Sequence, residues 1–66
     1  MLINKLEFTV AETASLLGRS SQTIYGLIYS GRLYAYKIPE HRAWHIPEKA
    51  ILDYMDACMR YYAHQR

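Results

Sequence analysis

The sequence predicts a small domain that is mainly α-helical with a small β-hairpin, in the order helix, helix, hairpin, helix. Three observations predict this fold class. Apolar residues recur at helical spacing in two short stretches, one on each side of a turn at Gly18. Between positions 32 and 46 the spacing changes to the alternation that is typical of strands. A longer helical stripe of apolar residues follows.

Composition limits the chain to one small unit. Of its 66 residues 52% are apolar, which is too many for a disordered tail and enough for one core. We treat residues 1–66 as a single domain, with a lead-in over 1–7 and a frayed end over 63–66. The single cysteine excludes an internal disulfide, and no apolar run approaches the roughly 20 residues that cross a bilayer. These features predict a cytoplasmic protein with no membrane partner.

The first helix begins at a capping box. The Thr9 hydroxyl can accept a hydrogen bond from the Glu12 amide, and the Glu12 side chain can reach back to the Thr9 amide. Gly18 ends the helix, because a residue without a Cβ readily takes the left-handed conformation that closes it. Ahead of the cap, alternating apolar residues are compatible with a short strand or an ordered lead-in: Leu2, Leu6 and Phe8.

The second helix begins only two residues later, at the N-cap Ser20, so the two helices must cross steeply. Gly31 is expected to end it. Its apolar side holds Ile24, Leu27 and Ile28, and its polar side holds Ser21, Gln22, Tyr25 and Tyr29. Gly26 in its interior costs about 1 kcal/mol relative to Ala. The close approach of a binding partner or of a neighbouring helix would explain why it is tolerated.

Alternating residues then predict the hairpin. Leu33, Ala35 and Lys37 face one way and Tyr34, Tyr36 and Ile38 the other, while Trp44 and Ile46 alternate with Ala43 and His45. The turn covers 39–42, where Pro39 removes a hydrogen-bond donor as pairing ends. Pro47 is expected at the first position of the third helix, where its missing amide hydrogen costs nothing.

The third helix carries a long apolar stripe that is expected to cover the first two helices. Its members lie at positions i, i+3, i+4, i+7 and i+11, namely Ile51, Tyr54, Met55, Cys58 and Tyr62. Trp44 is expected to fill the space between the hairpin and this helix. The acidic Glu48 near the start and the basic Arg60 near the end complement the helix dipole.

Four segments, together spanning about residues 8 to 56, carry a resemblance to a known family. They are Phe8 to Glu12 with Ala14, Leu17 and Gly18; then Ser20, Thr23, Ile24, Tyr25 and Ile28; then Ser30 to Leu33; and Trp44 to Ile46 leading through Tyr54. In these residues and in the order of its elements, the chain resembles the small winged helix-turn-helix DNA-binding domains of the excisionase-like and MerR-type family. The resemblance therefore implies a winged helix-turn-helix fold.

The resemblance also implies a function. Residues 21–30 would enter the major groove of double-stranded DNA, and the hairpin wing would touch the backbone or minor groove. Family members act as excisionases, which direct DNA recombination, or as small transcriptional regulators. An integrase or recombinase, or further copies of the chain on DNA, would be the protein partners, in a bacterial, phage or mobile-element setting. The resemblance implies no cofactor and no catalysis.

The polar side of the second helix supplies the candidate base contacts, Ser21, Gln22 and Tyr25. Gln22 is the best of these, because its amide can pair with adenine through two hydrogen bonds, worth about 1–3 kcal/mol of discrimination. Ser21 can reach a base edge or a phosphate. The family usually places basic residues on this helix, so the polar residues found here predict a weaker electrostatic grip.

Basic and hydroxyl side chains around this helix and on the hairpin are the candidate contacts to phosphates and the minor groove. They are Arg19, Thr23, Tyr29, Arg32, Lys37, His41 and Arg42. The net charge is only +2, but five of the six acids lie outside the segment that holds these basic residues. Arg42, at the hairpin tip, is the strongest candidate for the minor groove, with His41 beside it.

The sequence supports no catalytic or metal chemistry. His41 and His45 lie four positions apart across a turn and a strand, and no pair of thiolates is present to complete a zinc site. Cys58 lies within an apolar stripe, where a buried thiol is inert. We therefore expect no enzymatic activity, metal, cofactor or small-molecule substrate.

A different class of function also fits the sequence. Tyrosine is enriched at protein interfaces, and the chain contains seven. The same fold could act as a protein-interaction adaptor through a tyrosine-rich surface made of Tyr25, Tyr29, Tyr34 and Tyr36.

Overall fold

The computed structural model describes residues 6–64 and contains the predicted order of elements together with one added strand. The elements are β1 (Glu7–Phe8), α1 (Val10–Leu17), α2 (Ser21–Tyr29), β2 (Tyr36–Lys37), β3 (Trp44–Pro47) and α3 (Glu48–His64). Three helices and a small sheet in this order form a winged helix-turn-helix, as predicted. Leu2, the first residue of the predicted alternation, lies outside the described residues. So do residues 65 and 66, the last two of the segment predicted to fray.

Local hydrogen bonds set the limits of the first two helices as predicted. The amides of Thr9 and Glu12 each bond the other residue's side chain, at 2.9 and 3.0 Å, which completes the capping box. Gly18 ends α1 at φ 67°. The Ser20 hydroxyl accepts from the amide three residues on at 3.2 Å and so begins α2, which ends at Tyr29 just before the turn at Gly31.

The sheet has three antiparallel strands in the order β1, β3, β2. Phe8 of β1 is paired with Ile46, and Tyr36 of β2 is paired with His45. The hairpin strands are shorter than the alternation predicted, because the amide of Leu33 is bonded to the Leu27 carbonyl at 3.1 Å. This bond holds the start of the predicted strand against the end of α2.

One core joins all three helices and β3. Its buried apolar members are Val10, Ala14, Ile24, Ile28, Leu33, Ile46, Ala50 and Ile51. The prediction that α3 covers the first two helices along its whole stripe is wrong. Ile51 is buried and Tyr54 and Cys58 are half-buried, but Met55 and Tyr62 are exposed. Only the first turns of α3 therefore enter the core.

The junction of β3 and α3 differs by one residue from the prediction. Pro47 is the last residue of β3, and α3 begins at Glu48. The amide of Glu48 donates to the Leu6 carbonyl at 2.8 Å, so this end of the helix is joined to the strand edge. At its other end α3 continues through Ala63 to His64.

Candidate nucleic-acid interface

The polar side of α2 is fully available to a partner. Ile24 and Ile28 turn into the core, which leaves the predicted contact residues on this helix exposed: Ser21, Gln22, Thr23, Tyr25 and Tyr29. Gly26 is also exposed, and a Cβ built there would have no atom within 4 Å. Packing of a neighbouring helix therefore does not explain this glycine. Of the two explanations suggested by the sequence, only the close approach of a binding partner is still open.

An aromatic row, which we define as Tyr25, Tyr29 and Trp44, joins α2 to the wing, residues 36–47. The two tyrosine rings stack at 6.4 Å, and Tyr29 meets the edge of Trp44 at 6.0 Å. The ammonium group of Lys37 lies 4.8 Å from the centre of the Trp44 ring, within the range of a cation–π interaction. Trp44 is half-buried and packs against the core, and its ring also contacts Tyr29 on the exposed side of α2.

The wing presents its tip to solvent. His41 and Arg42 are both exposed, and the amide of His41 donates to the Ile38 carbonyl at 2.8 Å, which tightens the turn. No carboxylate of the described residues lies within 4.0 Å of the Lys37 or Arg42 side chains. Both side chains can therefore pair with phosphates without first breaking an ion pair.

A polar cluster on the three strands supports the wing. The Tyr36 hydroxyl donates to the Glu7 carboxylate, and the other oxygen of that carboxylate lies 3.6 Å from Nδ1 of His45. The rings of Tyr36 and His45 stack at 5.4 Å. Sequence reasoning missed Glu7, because its partners are 29 and 38 positions away and only the β1–β3 pairing brings them together.

The two histidines of the wing are closer than their spacing suggested. The rings of His41 and His45 have centres 5.8 Å apart. Across residues 6–64, however, no three side chains of His, Cys, Asp or Glu are grouped closely enough to hold a metal ion. Over the same residues, no helix is both long and apolar enough to cross a membrane.

The side of α2 that lies away from the wing and toward α3 is bordered by Arg19, Thr23 and Arg32. They line an open groove between α2 and α3, together with Leu27, Tyr54, Ala57, Cys58, Tyr61 and Tyr62. We call this the α2–α3 groove. Because successive residues are about 100° apart on a helix, Thr23 lies about 160° around the axis from Tyr25, with Gln22 between them. The predicted contact residues are thus divided between a wing flank and an α3 flank.

Arg19 and Arg32 flank opposite ends of α2 and line the same groove as Tyr54. A hydrogen bond to the Cys58 side chain and then burial raise the pKa of Tyr54 above its ordinary value of 10.0. The positive charges of Arg19 and Arg32 oppose this shift. The groove is therefore positively charged around an apolar floor.

Comparison with known proteins identifies the domain. A family model described as a helix-turn-helix domain matches residues 7–59, which run from β1 well into α3. No curated protein and no solved structure is found to be significantly similar to the chain.

Proposed function

Because the chain belongs to the excisionase-like family of small helix-turn-helix DNA-binding domains, we propose that it recognises double-stranded DNA with a sequence preference. In this proposal α2 enters the major groove, which is about 12 Å wide and admits one helix. The wing follows the backbone or enters the minor groove. The single observation that carries the proposal is that the aromatic row joins the exposed side of α2 to the wing.

Base contacts are assigned to the outward side of α2. Gln22 projects between the two flanks of the helix and has no neighbour that restrains its amide among the hydrogen bonds of the described residues. It is therefore free to pair with adenine. Ser21 and Tyr25 stand beside it on the wing side and complete the proposed base-contacting set.

Phosphate contacts are assigned first to the wing flank. Lys37 and Arg42 carry the unpaired charges there, His41 adds a ring at the tip, and the Tyr29 hydroxyl projects from a side chain that is 71% exposed. Such contacts strengthen binding to any sequence and make it depend on salt. Contacts from Arg19, Thr23 and Arg32 would need a DNA strand that passes along the α3 flank.

A selection from random duplexes, followed by binding titrations, tests the proposal. We expect the selected duplex to be bound at least about a hundredfold more tightly than a shuffled duplex of the same composition at moderate salt, which is modest for a specific site. Fluorescence anisotropy over a series of salt concentrations measures both. Equal binding to the two duplexes would remove the sequence preference, and no binding to either would remove the function.

The biological role follows from what the bound protein does to its neighbours. An excisionase occupies or bends DNA beside an integrase, whereas a small regulator occupies a promoter. For either role the proposed location is the cytoplasm, in a bacterial, phage or mobile-element setting. We propose these two roles together. An integrase gene next to the gene for this chain would favour the first, and a divergent promoter the second.

Exposed tyrosines keep the adaptor as a second candidate. Tyr34 is 66% exposed, and its ring lies 6.4 Å from the ring of Tyr36. Tyr36 in turn belongs to the polar cluster of the wing. Apolar association of this kind survives salt concentrations that abolish phosphate contacts. Retention of a protein partner at high salt by the wild type, with loss in Tyr34→Ala, would support the adaptor.

A further inference from the structure

The second half of α3 extends beyond the core with an unpaired apolar stripe. From Met59 to Ala63 every residue of the helix is exposed. The stripe consists of Leu52, Met55, Met59 and Tyr62, which are 56%, 44%, 68% and 67% exposed. Its spacing of three, four and three residues keeps all four side chains on one side of the helix, as in helices that pack against another helix. An isolated domain gains nothing from this arrangement.

Next to the stripe, the α2–α3 groove is an open space of about 680 Å³. Its floor is apolar, and Leu27 and Tyr54 are only half-buried there. A second depression adjoins it, where Met55 and Met59 face Leu17 across Arg19. Apolar surface thus continues from the end of α1 across α3.

Charge in this region is unbalanced. Arg19 and Arg32 border the groove, and no carboxylate of the described residues lies within 4.0 Å of either side chain. The acids of α3 point elsewhere, where Asp53 pairs with Lys49 at 3.1 Å and Asp56 pairs with Arg60 at 3.0 Å. These are exposed pairs within one helix, so they exchange partners at little cost.

We propose that two copies of the chain associate through this region, with α3 of each copy lying in the α2–α3 groove of the other. The groove offers an apolar floor and two unpaired arginines. Helix α3 offers an apolar stripe and, beside it, the carboxylates of Asp53 and Asp56. One surface therefore contains both complementary halves, as a two-fold symmetric interface requires.

The available area fits a reversible dimer. Each exposed side chain of the stripe, together with Tyr61, can bury on the order of 100 Å² more, which gives about 1,000 Å² for the symmetric pair. Stable, specific interfaces bury about 1,200–2,000 Å². We therefore expect dimers at micromolar or higher concentrations and monomers below.

Association through the groove leaves the outward side of α2 and the wing free for DNA, but it covers Arg19, Thr23 and Arg32, so a dimer would not use these three residues as phosphate contacts. Leu27 and Thr23, which border the groove, lie about 160° around α2 from Tyr25. A two-fold pair would present two copies of α2 and would bind best to an inverted repeat. Self-association is nevertheless tested without DNA, so that its failure is distinct from a failure of DNA binding.

Sedimentation equilibrium of the full chain, from low micromolar to millimolar concentration, provides the test. We expect the wild type to dimerise and Met59→Glu to raise the dimer dissociation constant at least tenfold, since a carboxylate would be buried in an apolar contact. Leu16→Glu is the matched control, because Leu16 is 59% exposed on α1 and borders neither depression. Circular dichroism checks that both variants remain folded.

A charge exchange tests the pairing of arginines with acids. Arg19→Glu with Arg32→Glu in one chain, and Asp53→Lys with Asp56→Lys in another, should each prevent self-association. Mixing the two variants should restore a heterodimer, because both halves of the interface become complementary again. A wild type that stays monomeric at all concentrations, or dimerisation unaffected by Met59→Glu, would overturn the proposal.

Discussion

The ring of Tyr29 on α2 meets the edge of the Trp44 indole on β3 at 6.0 Å, with the two planes 82° apart. Edge-to-face pairs of this kind contribute about 0.5–1.5 kcal/mol beyond the area that they bury. The contact joins the candidate reading helix directly to the wing. It therefore links the position of the wing to that of α2.

Replacing Trp44 with Ala should loosen the wing. We expect the free energy of unfolding to fall by about 2–3 kcal/mol, below the usual range for a fully buried tryptophan because Trp44 is half-buried. Lys37 also loses the ring that its ammonium group faces. Urea unfolding measures the stability, and DNA affinity should fall with it. Trp44→Phe should keep most of both, and a DNA affinity unchanged in Trp44→Ala would separate the wing from binding.

Gln22 and Arg42 should affect DNA binding in different ways. Gln22→Ala should remove about 1–3 kcal/mol of preference at one base pair and leave the salt dependence unchanged. Arg42→Ala should weaken binding to every duplex and lower the salt slope by about one unit. Anisotropy titrations against single-base variants of the selected duplex measure both effects. If the two substitutions behave alike, these roles are assigned incorrectly.

Gly26→Ala should stabilise the protein by about 1 kcal/mol, because alanine is the better helix former and a Cβ meets no atom within 4 Å. Gly18→Ala is the matched control. It should destabilise by about 1–2 kcal/mol, since Gly18 has φ +67° in open space and the cost is purely one of backbone conformation. Chemical denaturation distinguishes the two. A loss of stability in Gly26→Ala would show that α2 is constrained at this position.

Tyr36→Phe tests the polar cluster beneath the wing. Removing the hydroxyl leaves the Glu7 carboxylate without its donor, and we expect a loss of about 0.5–1.5 kcal/mol in the free energy of unfolding. A double-mutant cycle with Glu7→Gln isolates the pair. Effects of the two substitutions that simply add would mean that the hydroxyl and the carboxylate do not interact in solution.

The pKa of Tyr54 should depend on Cys58. The hydrogen bond to Cys58 is the largest cause of the raised pKa, so Cys58→Ala should return the pKa of Tyr54 toward 10.0. The raised pKa also makes the stability of the fold depend on pH. The pKa of Tyr54 is higher in the folded protein than in the unfolded chain. Its contribution to the free energy of unfolding is therefore complete below pH 10 and is lost as the pH rises through the folded pKa. Ultraviolet titration of the wild type, C58A and Tyr54→Phe measures the shift, and identical wild-type and C58A curves would contradict it.

The local features of this protein follow from its sequence alone. The capping box at Thr9, the stop at Gly18 and the N-cap at Ser20 were all predicted, and the structure confirms them. Each depends on hydrogen bonds that span three residues or on the conformation of one glycine, so neighbouring residues determine them. The helix-turn-helix spacing, and with it the family, follows from the same short-range signals.

Only the tertiary structure decided which distant residues come together. It added Glu7 to the wing, brought Trp44 to Tyr29, and placed Arg19 and Arg32 on the α3 flank of α2. It also left Met55 and Tyr62 of α3 exposed, although the sequence pattern predicted that both are covered. Periodicity shows which side of a helix is apolar, but the partner of that side depends on contacts between distant residues. In a domain this small the core ends after the first turns of α3, and the rest of its apolar surface stays available.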